Sequence, residues 1–132
     1  MKITSIIARF LLGLIFLIFG LNGFFHFLSM SPPPSGTAAA QFFGALYVSN
    51  YLVVVFLLQI VGAILLLLNR YVPLALTLLA PIIVNILLFH LFMAPSGLPL
   101  AIIVTVLWVL VFVNVRSAFD GLLRQRVRAQ PL

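Results

Sequence analysis

The chain has 132 residues, 65% hydrophobic and only 6% charged, where a soluble domain usually carries about a quarter charged residues. Its seven basic residues against one acidic give a net charge of +6, and the absence of cysteine excludes disulfides, thiol redox chemistry and thiolate metal sites. Such a composition cannot dress a water-facing surface; lipid is the solvent that suits it.

A membrane-spanning helix needs about 20 apolar residues, and four stretches approach or meet that within one domain covering 1–132. The first runs over about Ile6–Leu28. It follows Met1-Lys2, as a secretory signal would, but it is long for a signal core and no clear small-residue cleavage site follows, so it reads as a retained helix. Ser31-Pro32-Pro33-Pro34-Ser35-Gly36 then breaks the helix. The semi-apolar stretch Thr37–Val48 is too short to span. Its aromatic residues admit two readings: a short interfacial helix in the first outer loop, or an extension of the second span.

The second span runs over about Tyr51–Leu68, with Ser49-Asn50 as the expected N-cap. Asn69-Arg70-Tyr71-Val72 forms a tight turn. The third span covers about Pro73–Met93, with proline in the first turn where its missing N–H costs little. Ala94-Pro95-Ser96-Gly97 turns the chain again, and the fourth span covers about Pro99–Ser117. Such short connections make consecutive helices pack antiparallel. Residues 118–132 form a basic tail, in which Asp120 and Arg124 at i,i+4 predict a continuing surface helix. The expected fold is therefore all-α, a four-transmembrane-helix bundle.

Orientation follows from charge. Lys2, Arg9, Arg70, Arg116, Arg124, Arg126 and Arg128 all fall on one side of a four-span arrangement, and the two opposite connections carry no basic residue. The positive-inside rule places that side, with both termini, in the cytoplasm. The same placement turns the positive charge toward lipid rather than nucleic acid. Arg116, Arg124, Arg126 and Arg128 face anionic headgroups, at about 1 kcal/mol per basic residue.

Polar residues at depth are the informative ones in a membrane chain. They are Asn22 and His26, four apart on the first span; Gln59 on the second; Asn85 and His90 on the third; and Asn114 near the cytoplasmic end of the fourth. Arg9 and His26 are about 25 Å apart at helical rise, and Pro73 and His90 are equally separated in sequence, which sets both histidines at the outer level. Phe25-His26-Phe27-Leu28 resembles Phe89-His90-Leu91-Phe92, a short internal echo.

One reading gathers Asn22, His26, Gln59, Asn85 and His90 into a polar pocket in the outer half, sized for a quinone headgroup, a proton path or a haem with two axial histidines. Two imidazoles with no nearby carboxylate make a poor site for other metals. The other reading makes these residues helix glue, in hydrogen bonds worth about 0.6 kcal/mol each. Trp108, at mid-span, reads as packed inside the bundle, and Gly13, Gly20 and Gly23 read as a close-packing face. The spans contain no acidic residue, and no nucleotide, zinc-hydrolase or nucleophile–base motif occurs, so no catalytic residue is assigned.

Over nearly its whole length the chain resembles the DoxX family of membrane proteins. The resemblance rests on Ala8–Phe16, Phe19–Phe27 and Leu65–Leu76, and most specifically on Ala80-Pro81-Ile82-Ile83-Val84-Asn85-Ile86-Leu87-Leu88-Phe89-His90 followed by Gly97-Leu98-Pro99. It implies a four-helix protein of the bacterial inner membrane, associated with quinone-linked redox complexes. It also marks a departure. Where many relatives carry a Lys-x-x-Glu pair in the second helix, this chain has Phe56 and Gln59. The expectation is an accessory or structural subunit of a larger membrane redox or energy-converting complex, or a homo-oligomer. Two other expectations stand beside it: a quinone- or small-ligand-binding protein using the five-residue pocket, and a small-solute transporter, which the uncharged spans disfavour.

Overall fold

A computed structural model describes residues 2–132, and every described element is helical. Helix α1 spans Lys2–Phe25, α2 Ala38–Val48, α3 Tyr51–Leu67, α4 Val72–Phe92 and α5 Leu98–Val115. Short 3₁₀ segments cover Pro95–Gly97 and Arg116–Leu123. Three helical stretches are long and apolar enough to cross a membrane: Lys2–Phe25, Val72–Phe92 and Pro95–Leu123. A fourth is reached only if α2 and α3 count as one span, and they meet at an 84° bend.

Local chemistry sets the breaks. Helix α1 ends where His26 takes a left-handed conformation, φ 51°, and its N–H bonds the Asn22 carbonyl at 2.9 Å, a common way to close a helix. Helix α2 starts at Thr37, whose hydroxyl accepts from Ala40 N at 3.2 Å and donates to the Pro34 carbonyl at 2.7 Å. It stops at Ser49, and Asn50, at φ 62°, turns the corner into α3. Asn50 makes no side-chain cap bond. Asn50 is the N-cap residue of α3 by position, the Ser49 hydroxyl accepts from Tyr51 N at 3.4 Å, and the left-handed backbone of Asn50 also redirects the chain.

The Asn69 turn is equally compact. Asn69 is left-handed, φ 53°; its N–H bonds the Leu66 carbonyl and that of Arg70 the Leu65 carbonyl. That pairing satisfies the free carbonyls at the end of α3. The basic tail departs from its expected helix. Residues Arg116–Leu123 wind as 3₁₀, and Arg124 is already extended. At three residues per turn, residues four apart no longer share a face, so the Asp120–Arg124 spacing cannot propagate an α-helix.

The four longer helices form a ring in which α1 packs on α3 and α5, and α4 packs on the same two. Helices α1 and α4 stand diagonally. The most extensive seam joins α1 to α3. A Cβ at Gly13 would lie 3.3 Å from the Ala63 carbonyl, and one at Gly20 would lie 3.3 Å from the Phe56 carbonyl. These pairs step seven residues up one helix and seven down the other, an antiparallel register held by small residues. Leu12, Phe16, Leu66, Leu76, Leu79 and Val111 fill the centre and are almost wholly buried.

Two side chains tie the ring together. Arg9 on α1 donates to the Leu66 carbonyl in the last turn of α3, adding a cation at the negative end of the helix dipole. Trp108 on α5 donates its indole N–H to the Leu76 carbonyl of α4 at 3.0 Å and stacks on Phe112. It lies half-buried against the core. One end of the bundle therefore gathers the starts of α1 and α4 with the ends of α3 and α5. Lys2, Arg9, Arg70 and Arg116 all lie toward that end.

Candidate functional site

The opposite end carries the polar residues that sequence singles out. Asn22 sits in the last turn of α1 and is 9% exposed. Its Oδ1 accepts from Leu28 N at 2.7 Å and its Nδ2 donates to Met30 Sδ at 3.4 Å. One amide thus folds the chain back after the helix ends. His26 lies one residue past α1 with its ring exposed, so it does not extend the helical face of Asn22 as the four-residue spacing suggests. The apparent echo between its segment and that of His90 is not matched by the backbone: His26 is left-handed beyond a helix end, whereas His90 is inside α4.

His90 is half-buried, and its Nδ1 stands 3.0 Å from the Ala94 carbonyl. A carbonyl only accepts, so Nδ1 is the donor in this contact. The ring lies against Gly97, where a Cβ would come within 2.2 Å of it. His90 thereby fastens the end of α4 to the turn that starts α5, and glycine is needed there for space. Phe89 meets the His90 ring edge-on at 5.1 Å and the Phe42 ring of α2 at 5.7 Å. Helix α2 thus reaches across from α3 to the end of α4, an arrangement with no signal in local sequence.

Asn85 is exposed on α4, its Nδ2 donating to the Pro81 carbonyl at 2.9 Å. Gln59 is buried at the middle of α3, with its Cβ 3.3 Å from where a Cβ of Gly20 would stand. Phe56, one turn earlier, fills the space beside Gly23: a Cβ there would fall 2.3 Å from its ring. Both positions that differ from the expected charged pair therefore face the glycine edge of α1.

The five residues are placed in separate settings. Asn22 and His26 form a local turn at the end of α1. Asn85 and His90 bond backbone of their own segment, and Gln59 lies in the α1–α3 seam. His26 follows α1 and His90 lies in α4, and these two helices are diagonal rather than adjacent. Among the described residues no three His, Asp or Glu side chains gather where a metal ion could be held. What this end offers chemically is the His90 ring beside the Phe42–Phe89 aromatic pair, and the exposed His26.

Comparisons with models of known protein families, with curated proteins and with solved structures found no match.

Two features escape a reading by depth and polarity alone. The first is the cap that Arg9 places on α3, whose partner lies far along the chain. The second is a groove at the basic end, lined by Thr4, Ser5, Leu110, Val113, Asn114 and Arg116. Ser5 is 7% exposed and Asn114 is exposed. Serine and threonine near a chain start give no distinguishing signal until α5 is set beside them.

Proposed function

We propose that the chain is a DoxX-like, four-span protein of the bacterial inner membrane with both termini in the cytoplasm, and that it serves as an accessory or structural subunit of a larger redox or energy-converting complex. One observation carries the structural role. Phe56 and Gln59, standing where the resemblance would place a Lys-x-x-Glu pair, face the glycine edge of α1 at Gly20 and Gly23. A ring and a neutral amide there close a helix seam and bring no titratable group into the hydrocarbon. Carriers of protons or cations usually keep a charged residue at depth. The collection of basic residues at one end supports the orientation. Helix α3 lies antiparallel along α1, and its 17 residues rise about 25 Å, a little short of the roughly 30 Å hydrocarbon core.

The test is isolation of the tagged, full-length chain from its native membrane in mild detergent. Co-purification of oxidoreductase subunits at fixed stoichiometry, seen by mass spectrometry and by haem or flavin absorbance, is the expected result. A single monodisperse species free of such partners would refute it.

A further inference from the structure

The groove at the basic end is an open depression of about 480 Å³ between the first turn of α1 and the C-terminal end of α5. Its lining changes character along α5. Leu110 and Val113 are apolar; Asn114 stands one turn beyond Leu110, and Arg116 follows just past the end of α5. Thr4 and Ser5 bring two hydroxyls from α1 to the same groove. An occupant must carry hydrogen-bond acceptors at one end and hydrocarbon at the other. The lining holds a guanidinium and no carboxylate, so the polar end is favoured as an anion. Arg116 also lines a second groove, together with Phe112, Phe119, Asp120 and Leu123.

We infer that this groove binds an anionic phospholipid, with its phosphate at Arg116 and Asn114 and an acyl chain along Leu110 and Val113. A guanidinium offers paired N–H donors matched to phosphate oxygens, and the Thr4 and Ser5 hydroxyls and the Asn114 amide add further donors. Inorganic phosphate shares the headgroup chemistry but gains nothing from the apolar wall. The groove thus adds a defined lipid site to the general attraction of the arginine tail. The inference requires only that the bundle lies in a bilayer, and it stands independently of any redox partner.

The full-length protein, reconstituted in nanodiscs of equimolar phosphatidylglycerol and phosphatidylcholine and then released, would be assayed for retained lipid by native mass spectrometry. The unmodified chain is expected to retain phosphatidylglycerol preferentially. Arg116→Gln should lower that retention about fivefold, the factor for one basic contact with an anionic lipid surface. Val113→Trp, which fills the apolar wall without changing charge, should also lower it. Replacing Arg124, Arg126 and Arg128 by glutamine together removes only the general surface attraction and should lower it less than Arg116→Gln alone. Circular dichroism and gel filtration would establish that each variant is folded; Asn114→Leu replaces Arg116→Gln if the latter is not. Equal retention in Arg116→Gln and the unmodified chain would overturn the inference. So would a loss in the tail variant as large as in Arg116→Gln, or displacement of the lipid by millimolar inorganic phosphate.

Discussion

Asn22 and His26 look alike as polar residues near one end of an apolar helix, yet the fold uses them differently. Asn22 is buried and spends its amide on Leu28 N and Met30 Sδ. His26 is exposed and contributes a left-handed backbone, φ 51°, a conformation that a side chain disfavours by about 1–2 kcal/mol and glycine does not. Opposite outcomes follow. Asn22→Ala strands the Leu28 N–H and should lower stability by about 1 kcal/mol, whereas His26→Gly should leave stability unchanged or raise it. Unfolding of the purified protein in mixed micelles, followed by circular dichroism, would compare them. A loss in His26→Gly matching that of Asn22→Ala would mean that the imidazole itself holds something in place. His90 differs again. Its Nδ1 is committed to the Ala94 carbonyl and its ring to the face of Gly97, so its local role is to close the α4–α5 turn.

Among the elements, α1 and α3 are joined where large side chains of α3 (Leu67, Ile60 and Phe56) seat against the glycines of α1, which lets the backbones approach closely. The hydrophobic effect gives helices little reason to associate inside lipid, and close packing of small residues replaces it. Gly20→Val would set branched carbons against Ile60, Gln59 and the Phe56 carbonyl, and overpacking of this kind costs about 1–3 kcal/mol. Gly44 in α2 has open space around its Cβ position, so Gly44→Ala should be neutral or stabilising by up to about 1 kcal/mol through helix propensity. The same unfolding assay measures both, and equal effects would remove the special status of the α1–α3 seam. Helix α2 belongs to neither helix of that seam. An 84° corner sends it away from α3, and Phe42 against Phe89 anchors it to α4.

For the whole molecule, the placement of charge gives an orientation that can be measured cleanly because the chain has no cysteine. Single cysteines at exposed Arg70 and Ser117 should resist a membrane-impermeant maleimide in intact cells, while those at exposed Ser35 and Ser96 should label. Ser35 and Arg70 labelling from the same side would mean that α3 does not cross. The ring of four helices leaves large apolar side chains exposed on each of them, including Ile18 on α1, Leu57 on α3, Val84 on α4 and Ile103 on α5. Such a surface is at home only in lipid or against other apolar helices.

By itself the sequence determined the helical character of the chain, the positions of its breaks to within a few residues, and the segregation of basic from uncharged connections. Each depends on local composition: apolar runs for the helices, Pro32–Pro34, Asn69 and Pro95–Gly97 for the interruptions, arginine and lysine for the charge. The internal echo of Asn and His in apolar surroundings was legible too, but only as a pattern of letters. The tertiary structure decided what the pattern meant. Which helices are neighbours is set by the α1–α3 glycine seam and by the reach of Arg9 and Trp108 to backbone carbonyls of other helices, contacts between residues far apart in sequence. That arrangement puts α1 and α4 on a diagonal, turns Phe56 and Gln59 toward α1, and brings Thr4 and Ser5 beside Asn114 and Arg116. Hydropathy and spacing measure depth along a helix; they carry no information about which face meets which partner, and the candidate lipid groove exists only once those faces have met.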